Sequence, residues 1–197
     1  MKKPNRREEI LQALAQMLQE NPGGKTTTAA LAKQVGISEA ALYRHFPSKA
    51  KMLEGLIEFA EDTLFGLIGR VLEEPQGASA KCPDIFLVLL TFVERNPGFA
   101  RLFVGDALQG ETERLRGRCC QVLDRIETQL RTVLRDERLK IDALPGAKLN
   151  PVANLLIAAA EGRILQFVRS DFRLAPTEHW ADQWQLLDQI VVTQTAH

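Results

Sequence analysis

The sequence predicts an all-α protein, with an N-terminal three-helix head containing a helix-turn-helix and a C-terminal helical body. Three observations lead to this prediction. Apolar residues recur at spacings of three and four along most of the 197-residue chain. Residues 27–49 contain two short amphipathic segments separated by a glycine. Clusters of Gly and Pro, which end helices, separate the longer segments. We expect a helix-turn-helix head over residues 1–51, a body over residues 52–197, and about nine helices.

The first predicted helix covers residues 6–20, where apolar side chains form one stripe: Ile10, Leu14, Met17 and Leu18. The sequence Asn-Pro-Gly-Gly at residues 21–24 ends it. Four basic residues lead into this helix, namely Lys2, Lys3, Arg6 and Arg7. We interpret them as a flexible basic arm, which is either a solvated tail or a contact to phosphate or the minor groove.

The next two helices have the chemistry of a helix-turn-helix. Thr27 can cap a helix that runs through Val35, and Gly36 stands where a left-handed residue would end it. Ser38 can then cap a second helix that runs from Glu39 to Phe46. This second helix is the candidate recognition helix, because the equivalent helix of the motif reads the major groove.

The outer face of the recognition helix offers groups suited to DNA. Ala40 is small enough to approach a thymine methyl group, and Tyr43 and His45 can donate to phosphates. Lys49 begins the following helix, whose free N–H groups would add to a phosphate site. Two alternatives remain open, a packed surface aromatic for Tyr43 and a satisfied helix cap for His45.

The body continues with long helical patterns. We predict helices over 48–72, from Pro83 or Asp84 to about residue 94, over 99–108, over 112–138, from Asn150-Pro151 to Arg169, and from Thr177 onward. The helix from residue 84 is apolar almost all round and is expected to be largely buried, whereas the one over 99–108 is expected to be amphipathic. The last two helices would form either a homodimer interface, with Trp180, Trp184, Leu187 and Val191 on one face, or an internal core.

The charge distribution and the absence of catalytic motifs favour a nucleic-acid-binding protein over an enzyme. Residues 1–51 carry nine lysines or arginines against four glutamates, a net charge of +5 in a chain of zero net charge. A basic head on an acidic body is typical of a nucleic-acid reader, and a randomly charged surface is the alternative that this count leaves open. No metal motif, phosphate loop or catalytic motif is present, so we expect no enzyme activity and no cofactor. Three unpaired cysteines and the absence of a signal or membrane-spanning pattern favour a cytoplasmic protein.

The stretch LAKQVGISEAALYRHFPSK resembles the DNA-binding signature of the TetR family of bacterial regulators. The resemblance implies an all-helical homodimer with two reading heads that binds palindromic double-stranded DNA. It also implies DNA contacts for the positions that match the signature: Thr27, Ser38, Ala40, Tyr43, His45 and Lys49. Most members of the family are ligand-relieved transcriptional repressors.

A second resemblance extends beyond the head. The segments NRREEILQALA, LIEFAEDTL, ERNPG, EGRILQFVRSDF and PTEHWADQW are similar to a nucleoid-occlusion factor of this family. The similarity implies a protein of the cytoplasm and nucleoid that, when bound to DNA, inhibits assembly of the division protein FtsZ. Implied partner-binding positions are Phe59, Arg95 and Asn96, together with Val88 and Thr91 on the apolar helix. A ligand-responsive repressor remains the alternative.

Overall fold

A computed structural model describes residues 5–20, 26–108, 113–140 and 149–195 of the chain. Within these ranges the structure is helical and contains no strand, which confirms the all-α prediction. Its helices are α1 (Arg6–Glu20), α2 (Thr28–Val35), α3 (Glu39–His45), α4 (Lys49–Glu73), α5 (Ala78–Arg95), α6 (Pro97–Phe103), α7 (Glu113–Lys140), α8 (Leu149–Arg169) and α9 (Trp180–Thr195). A 3-10 helix over Asp106–Leu108 follows α6.

The chain forms two compact units. The first unit comprises Met1–Asp62 and Asn96–Cys120, and the second comprises Thr63–Arg95 and Gln121–His197. Helices α4 and α7 contribute residues to both units. The functional division into a DNA-binding head over residues 1–51 and a body over 52–197 stays a prediction.

The core of the first unit is built on α1. The four apolar residues predicted to form its stripe are all buried: Ile10, Leu14, Met17 and Leu18. Leu31 of α2, Leu42 of α3 and Phe46 are also buried, so the three head helices share apolar contacts. Helix α1 packs against α2, α3 and α6. The segment predicted to end α1, residues 21–24, lies outside the described residues.

Helix α5 begins five residues earlier than the sequence suggested. We expected Pro83 or Asp84 to start it, because proline is tolerated in the first turn and costs a hydrogen bond further in. That prediction is wrong: α5 starts at Ala78, and Pro83 lies inside it. Ala78 and Cys82 are both buried on the same stripe as Ile85. Burial of this stripe outweighs the one backbone hydrogen bond that Pro83 cannot make.

The same helix is not buried all round. Six of its central residues are buried, namely Ile85, Phe86, Leu89, Leu90, Phe92 and Val93. Leu87 is exposed, and Val88 and Thr91 are half-buried. The expectation of a largely buried helix is therefore wrong for one face, because an apolar sequence does not by itself say which side a helix turns to its neighbours.

Helix α6 also differs from its prediction. An amphipathic helix over 99–108 was expected, but α6 covers Pro97–Phe103 and every one of its residues is buried. Val104 ends it, and Gly105 then adopts a left-handed backbone with φ of 79°. The single helix of the prediction is therefore a buried helix followed by a 3-10 turn.

The second unit is centred on contacts of α5 with α8 and α9. Phe86 of α5 packs against Trp180 and Trp184, with ring centroids 5.4 and 6.1 Å apart. Helix α8 starts at Leu149, so Asn150 lies inside the helix and is not its N-cap as predicted. Helix α9 starts at Trp180 and not at Thr177, which lies in the preceding turn. Leu187 is half-buried, and the side chain of Val191 lies outside the described residues.

Candidate nucleic-acid interface

The turn between α2 and α3 is fixed by local hydrogen bonds. The Thr27 hydroxyl oxygen accepts from the Ala30 N–H at 3.2 Å and caps α2. Gly36 takes a left-handed backbone with φ of 73°, which lets the Ile37 N–H donate to the Ala32 carbonyl at 3.0 Å. The predicted cap and glycine turn are confirmed, and both are formed by groups within a few residues of each other.

Helix α3 presents most of its surface to solvent. The Ser38 hydroxyl oxygen accepts from the Ala41 N–H at 3.1 Å, as the sequence predicted. Leu42 is the only buried residue within α3, and Phe46, which ends the helix, is buried as well. These two anchors leave the outer face exposed, including Glu39, Ala40, Tyr43 and Arg44.

A polar network ties α2 to the exposed face of α3. The Tyr43 hydroxyl donates to Thr28 Oγ1 at 3.2 Å, and the Thr28 hydroxyl donates to Glu39 Oε2 at 3.0 Å. Tyr43 is 42% exposed. In the free chain Tyr43 therefore already has a protein partner and is held in one place. Sequence reasoning missed Thr28, since only the spacing of Glu39 and Tyr43 on one helix face was visible.

Arg7 joins α1 to the end of α3. Its Nη1 atom donates to the His45 carbonyl at 3.1 Å, and its guanidinium lies 4.3 Å from the centroid of the Phe46 ring. Arg6 pairs with Glu9 one turn along α1. The prediction of a flexible arm is wrong for Arg6 and Arg7, which form the first turn of a helix. Lys2 and Lys3 lie outside the described residues.

The start of α4 lies directly after the recognition helix. The Ser48 hydroxyl oxygen accepts from the Lys51 N–H at 3.2 Å, and Lys49 is the first residue of α4. His45 and Lys49 are both half-buried. All six predicted DNA-contact residues thus lie between the N-cap of α2 and the first residue of α4, on or beside a helix terminus or on α3.

A buried carboxylate joins α4 to α7 in the first unit. Glu54 is 8% exposed and accepts from Lys51 Nζ at 2.6 Å and from the Arg114 guanidinium. The hydrogen bond from Lys51 is the main cause that lowers the pKa of Glu54, with Arg114 and Arg118 adding to it against the effect of burial. The carboxylate is therefore ionised at neutral pH and fixed by two cations.

The five predicted partner-binding residues belong to both units. In the first unit, Phe59 is 50% exposed and its ring lies 5.9 Å from that of Phe99 on α6, and Asn96 immediately precedes α6. In the second unit, Val88 and Thr91 are half-buried on α5, and Arg95 is its exposed last residue. The structure gives each of them some accessible surface.

No metal cluster is present among the described residues. Cys119 is buried, and burial is the main cause that raises the pKa of its thiol to about 12, which leaves it protonated and unreactive at neutral pH. Glu161 is exposed on α8, and partial burial together with Asp124 and Glu127 raises its pKa.

By length and composition alone, α8 is the one described helix that could span a membrane. A helix in the core of a folded domain meets the same criteria, and α8 buries a stripe of seven residues: Val152, Ala153, Leu156, Ile157, Ala160, Ile164 and Phe167. Glu161 and Arg163 also interrupt its apolar sequence. We therefore interpret α8 as a core helix.

Comparison with known proteins identifies the class of this fold. The model of bacterial regulatory proteins of the tetR family matches residues 10–56, and that of the tetracyclin repressor-like C-terminal domain matches residues 79–191. Among solved structures, the regulator PfmR from Thermus thermophilus has a TM-score of 0.73 and 24% identity over 91% of this chain and 97% of its own. The Bacillus subtilis regulator FadR in complex with stearoyl-CoA has a TM-score of 0.75 and 17% identity over 91% of this chain and 96% of its own. The fold and the reading head define a TetR-family regulator.

Relatives that match nearly the whole chain identify its group within this family more closely. The nucleoid occlusion factor SlmA of Marinomonas sp. strain MWYL1 is 57% identical over 188 residues, 95% of either chain. That of Idiomarina loihiensis is 51% identical over 191 residues, 97% of either chain. The chain belongs to the SlmA group of nucleoid occlusion factors within the TetR family. It is accordingly a DNA-binding, dimer-forming regulator and not an enzyme.

Proposed function

We propose that this chain is a DNA-activated nucleoid-occlusion factor. It binds palindromic chromosomal sites as a dimer and inhibits assembly of the FtsZ ring over the nucleoid, so that it acts in the cytoplasm at the chromosome. The observation that carries the proposal is the similarity along 95% of the chain to relatives named as nucleoid occlusion factors. A ligand-responsive repressor is less favoured, because the relatives match the body as well as the head.

DNA contact is assigned to the six residues on and around α3. Thr27 and Ser38 use their hydroxyl oxygens as acceptors in the helix caps, so each hydroxyl hydrogen can still donate to a phosphate. The caps thereby fix the donors in place. Ala40 is exposed on the first turn of α3 and offers a methyl group to a base edge. Tyr43, His45 and Lys49 complete the proposed surface.

The phosphate role of Lys49 has a direct test. The Lys49→Ala protein is expected to bind specific DNA more weakly, because one cation that displaces counterions is lost. The slope of log affinity against log salt should decrease in magnitude by about 1. Fluorescence anisotropy over a salt series measures both quantities. Lys33→Ala, an exposed lysine on α2, is the matched control. An unchanged slope and affinity for Lys49→Ala would contradict the role.

Dimerisation is assigned to α8 and α9. Three leucines on these helices are about half or more exposed in the single chain: Leu155 at 47%, Leu165 at 52% and Leu186 at 68%. Apolar side chains at this exposure are typical of a surface that a second copy covers. A two-fold dimer presents two recognition helices, which is why the DNA site should be a palindrome.

FtsZ is the proposed partner, and Phe59, Val88, Thr91, Arg95 and Asn96 are its proposed contact residues. The test is FtsZ polymerisation, followed by light scattering and pelleting, with the protein in the presence and absence of specific DNA. DNA-bound protein should reduce polymer mass, and Arg95→Glu should abolish that effect while retaining DNA affinity. Arg135→Glu, another exposed arginine, is the control. If DNA-bound wild-type protein left FtsZ polymers unchanged, the proposal would fail.

The chromosomal distribution of binding sites separates the two candidate functions. Many sites scattered over the chromosome and sparse near the replication terminus are expected for an occlusion factor. One or two sites beside a regulated gene would instead favour a repressor. Immunoprecipitation of the protein followed by sequencing of the bound DNA makes this measurement.

A further inference from the structure

Helix α6 makes an unusually close contact with α1 in the first unit. Gly98 is the second residue of α6, and a Cβ atom built on it would lie 2.2 Å from the carbonyl oxygen of Ala15 and 3.1 Å from its carbonyl carbon. Both are backbone atoms, so no side chain can move aside. Only glycine allows the two helices to approach this closely.

A buried arginine holds the same two helices together. Arg101 of α6 is 2% exposed, and its Nε atom donates to Asp106 Oδ2 at 2.6 Å. Its Nη1 atom donates to the carbonyl of Leu18, in the last turn of α1. Carbonyls in the last turn of a helix lack partners within the helix, so Arg101 caps the C-terminal end of α1. A buried cation whose partners are this specific fixes the position of one helix on another.

The opposite end of α1 holds the recognition helix. Arg7 donates to the His45 carbonyl and lies over the Phe46 ring, at the point where α3 ends. Arg7 and Leu18 are 11 residues apart on the same helix, which corresponds to about 16 Å along its axis. Helix α1 therefore connects the C-terminal end of α3 with α6.

Phe99 of α6 contacts two of the proposed partner-binding residues, Phe59 on α4 and Asn96 just before α6. Phe99 packs its ring against the exposed Phe59, and its N–H donates to the carbonyl of Asn96 at 2.9 Å. Gly98 and Arg101 contact α1, and in sequence they lie on either side of Phe99, which contacts both Phe59 and Asn96. Any displacement of α1 along its axis has to be accommodated by α6.

We propose that Gly98 and Arg101 are positioning residues that couple DNA reading by α3, through α1, to the partner contacts at Phe59 and Asn96. DNA that selects one position of α3 selects one position of α1 and α6, and so one arrangement of these contacts. The inference rests on the proposed function and names its regulation. Because such coupling is reciprocal, FtsZ must tighten DNA binding by the same factor by which DNA tightens FtsZ binding.

The experiment measures that coupling factor on the full-length protein. FtsZ affinity is determined with and without saturating specific DNA, and DNA affinity with and without saturating FtsZ, for wild type, Gly98→Ala, Arg101→Lys and Asp106→Asn. The wild-type factor is expected in the range of about 5 to 150 that is typical of allosteric proteins. Gly98→Ala and Arg101→Lys should bring it close to 1, and Asp106→Asn should reduce it partially. Gly117→Ala is the matched control, since a Cβ there meets nothing within 4 Å.

A merely structural role would lower stability and leave the ratio unchanged, so circular dichroism and thermal unfolding accompany each measurement. If Gly98→Ala does not fold, the coupling factor of Asp106→Asn tests the proposal instead. Asp106 is only half-buried, so its replacement weakens the ion pair of Arg101 and leaves the buried contact between α1 and α6 in place. Folded variants that keep the wild-type factor would overturn the inference while the proposed function stands. A wild-type factor of 1 would overturn DNA activation itself, and the inference with it.

Discussion

Helices α3 and α6 both have seven residues, but they are held in different ways. A helix of this length is not stable alone in water. Helix α3 buries Leu42 alone and depends on the Ser38 cap and on Phe46 at its end. Helix α6 has no side-chain cap at its start and buries all seven residues. Helix α3 is thus fixed mainly at its ends and leaves its proposed DNA-contact surface exposed, whereas α6 is fixed along its whole surface.

The largest expected effect on stability comes from truncating a core leucine in each of these two helices. Leu42 and Leu102 are both fully buried. Replacing either with alanine should lower the free energy of unfolding by about 2 to 5 kcal/mol, because a cavity adds to the lost burial. Urea denaturation measures the change. Leu174→Ala, at a half-exposed leucine, should stay within about 0.5 kcal/mol. A cost for Leu102→Ala as small as that control would refute the account of α6.

The next largest effect concerns Glu54, which is buried like α6 but polar like the surface of α3. Its pKa is lowered, so its stabilisation is present above the pKa of an unfolded glutamate and is lost as the pH falls through the lowered folded value. Glu54→Gln should lower the free energy of unfolding by about 1 to 2 kcal/mol at pH 7. The difference from wild type should shrink below about pH 4.

Urea titrations at several pH values follow this difference. Glu58→Gln, an exposed glutamate on the same helix, provides the control. If the difference in the free energy of unfolding between Glu54→Gln and wild type did not change with pH, packing and not charge would hold α4 to α7.

The smallest effect sharpens the description of α3. Ser38→Ala should cost about 1 kcal/mol of stability, whereas Ser38→Gly should cost only a few tenths, since glycine is a tolerated N-cap. DNA affinity should fall in both variants if the hydroxyl also donates to a phosphate. Thermal unfolding and anisotropy on the same samples separate the two roles. If the glycine variant bound DNA as wild type does, Ser38 would be a cap alone.

The same contrast explains what could be predicted from the sequence. The caps at Thr27 and Ser38 and the turn at Gly36 are local signals, because the side chain and its backbone partner lie within a few residues. These predictions are confirmed by the structure. The start of α5 was wrong because long-range burial decided it, since buried Ala78 and Cys82 extend the helix through Pro83. The end of α6 was wrong because a local signal was missed: Val104 ends the helix, and Gly105 then takes a left-handed backbone.

The candidate site also has features that local sequence signals predict and features that depend on long-range contacts. The exposure of Ala40 and Tyr43 follows from the helical period, and both lie on the predicted face. The hydrogen-bond partners that fix this face could not be predicted from the helical period, because Thr28 is 15 residues from Tyr43 and Arg7 is 38 residues from His45. Arg101 is a stronger case. A charged residue in a short apolar segment gave no sign that its partner, Leu18, lies 83 residues away.

The adjacent cysteines of α7 have a practical consequence. Cys82 and Cys119 are buried, and the raised pKa of Cys119 keeps its thiol protonated, whereas Cys120 is exposed. The chain has only these three cysteines. A maleimide dye added to the native protein should therefore attach at Cys120 alone, since the exposed thiol is the one that reacts. The unaltered sequence provides a site for a fluorophore in the first unit, from which the response to DNA can be followed without introducing a cysteine.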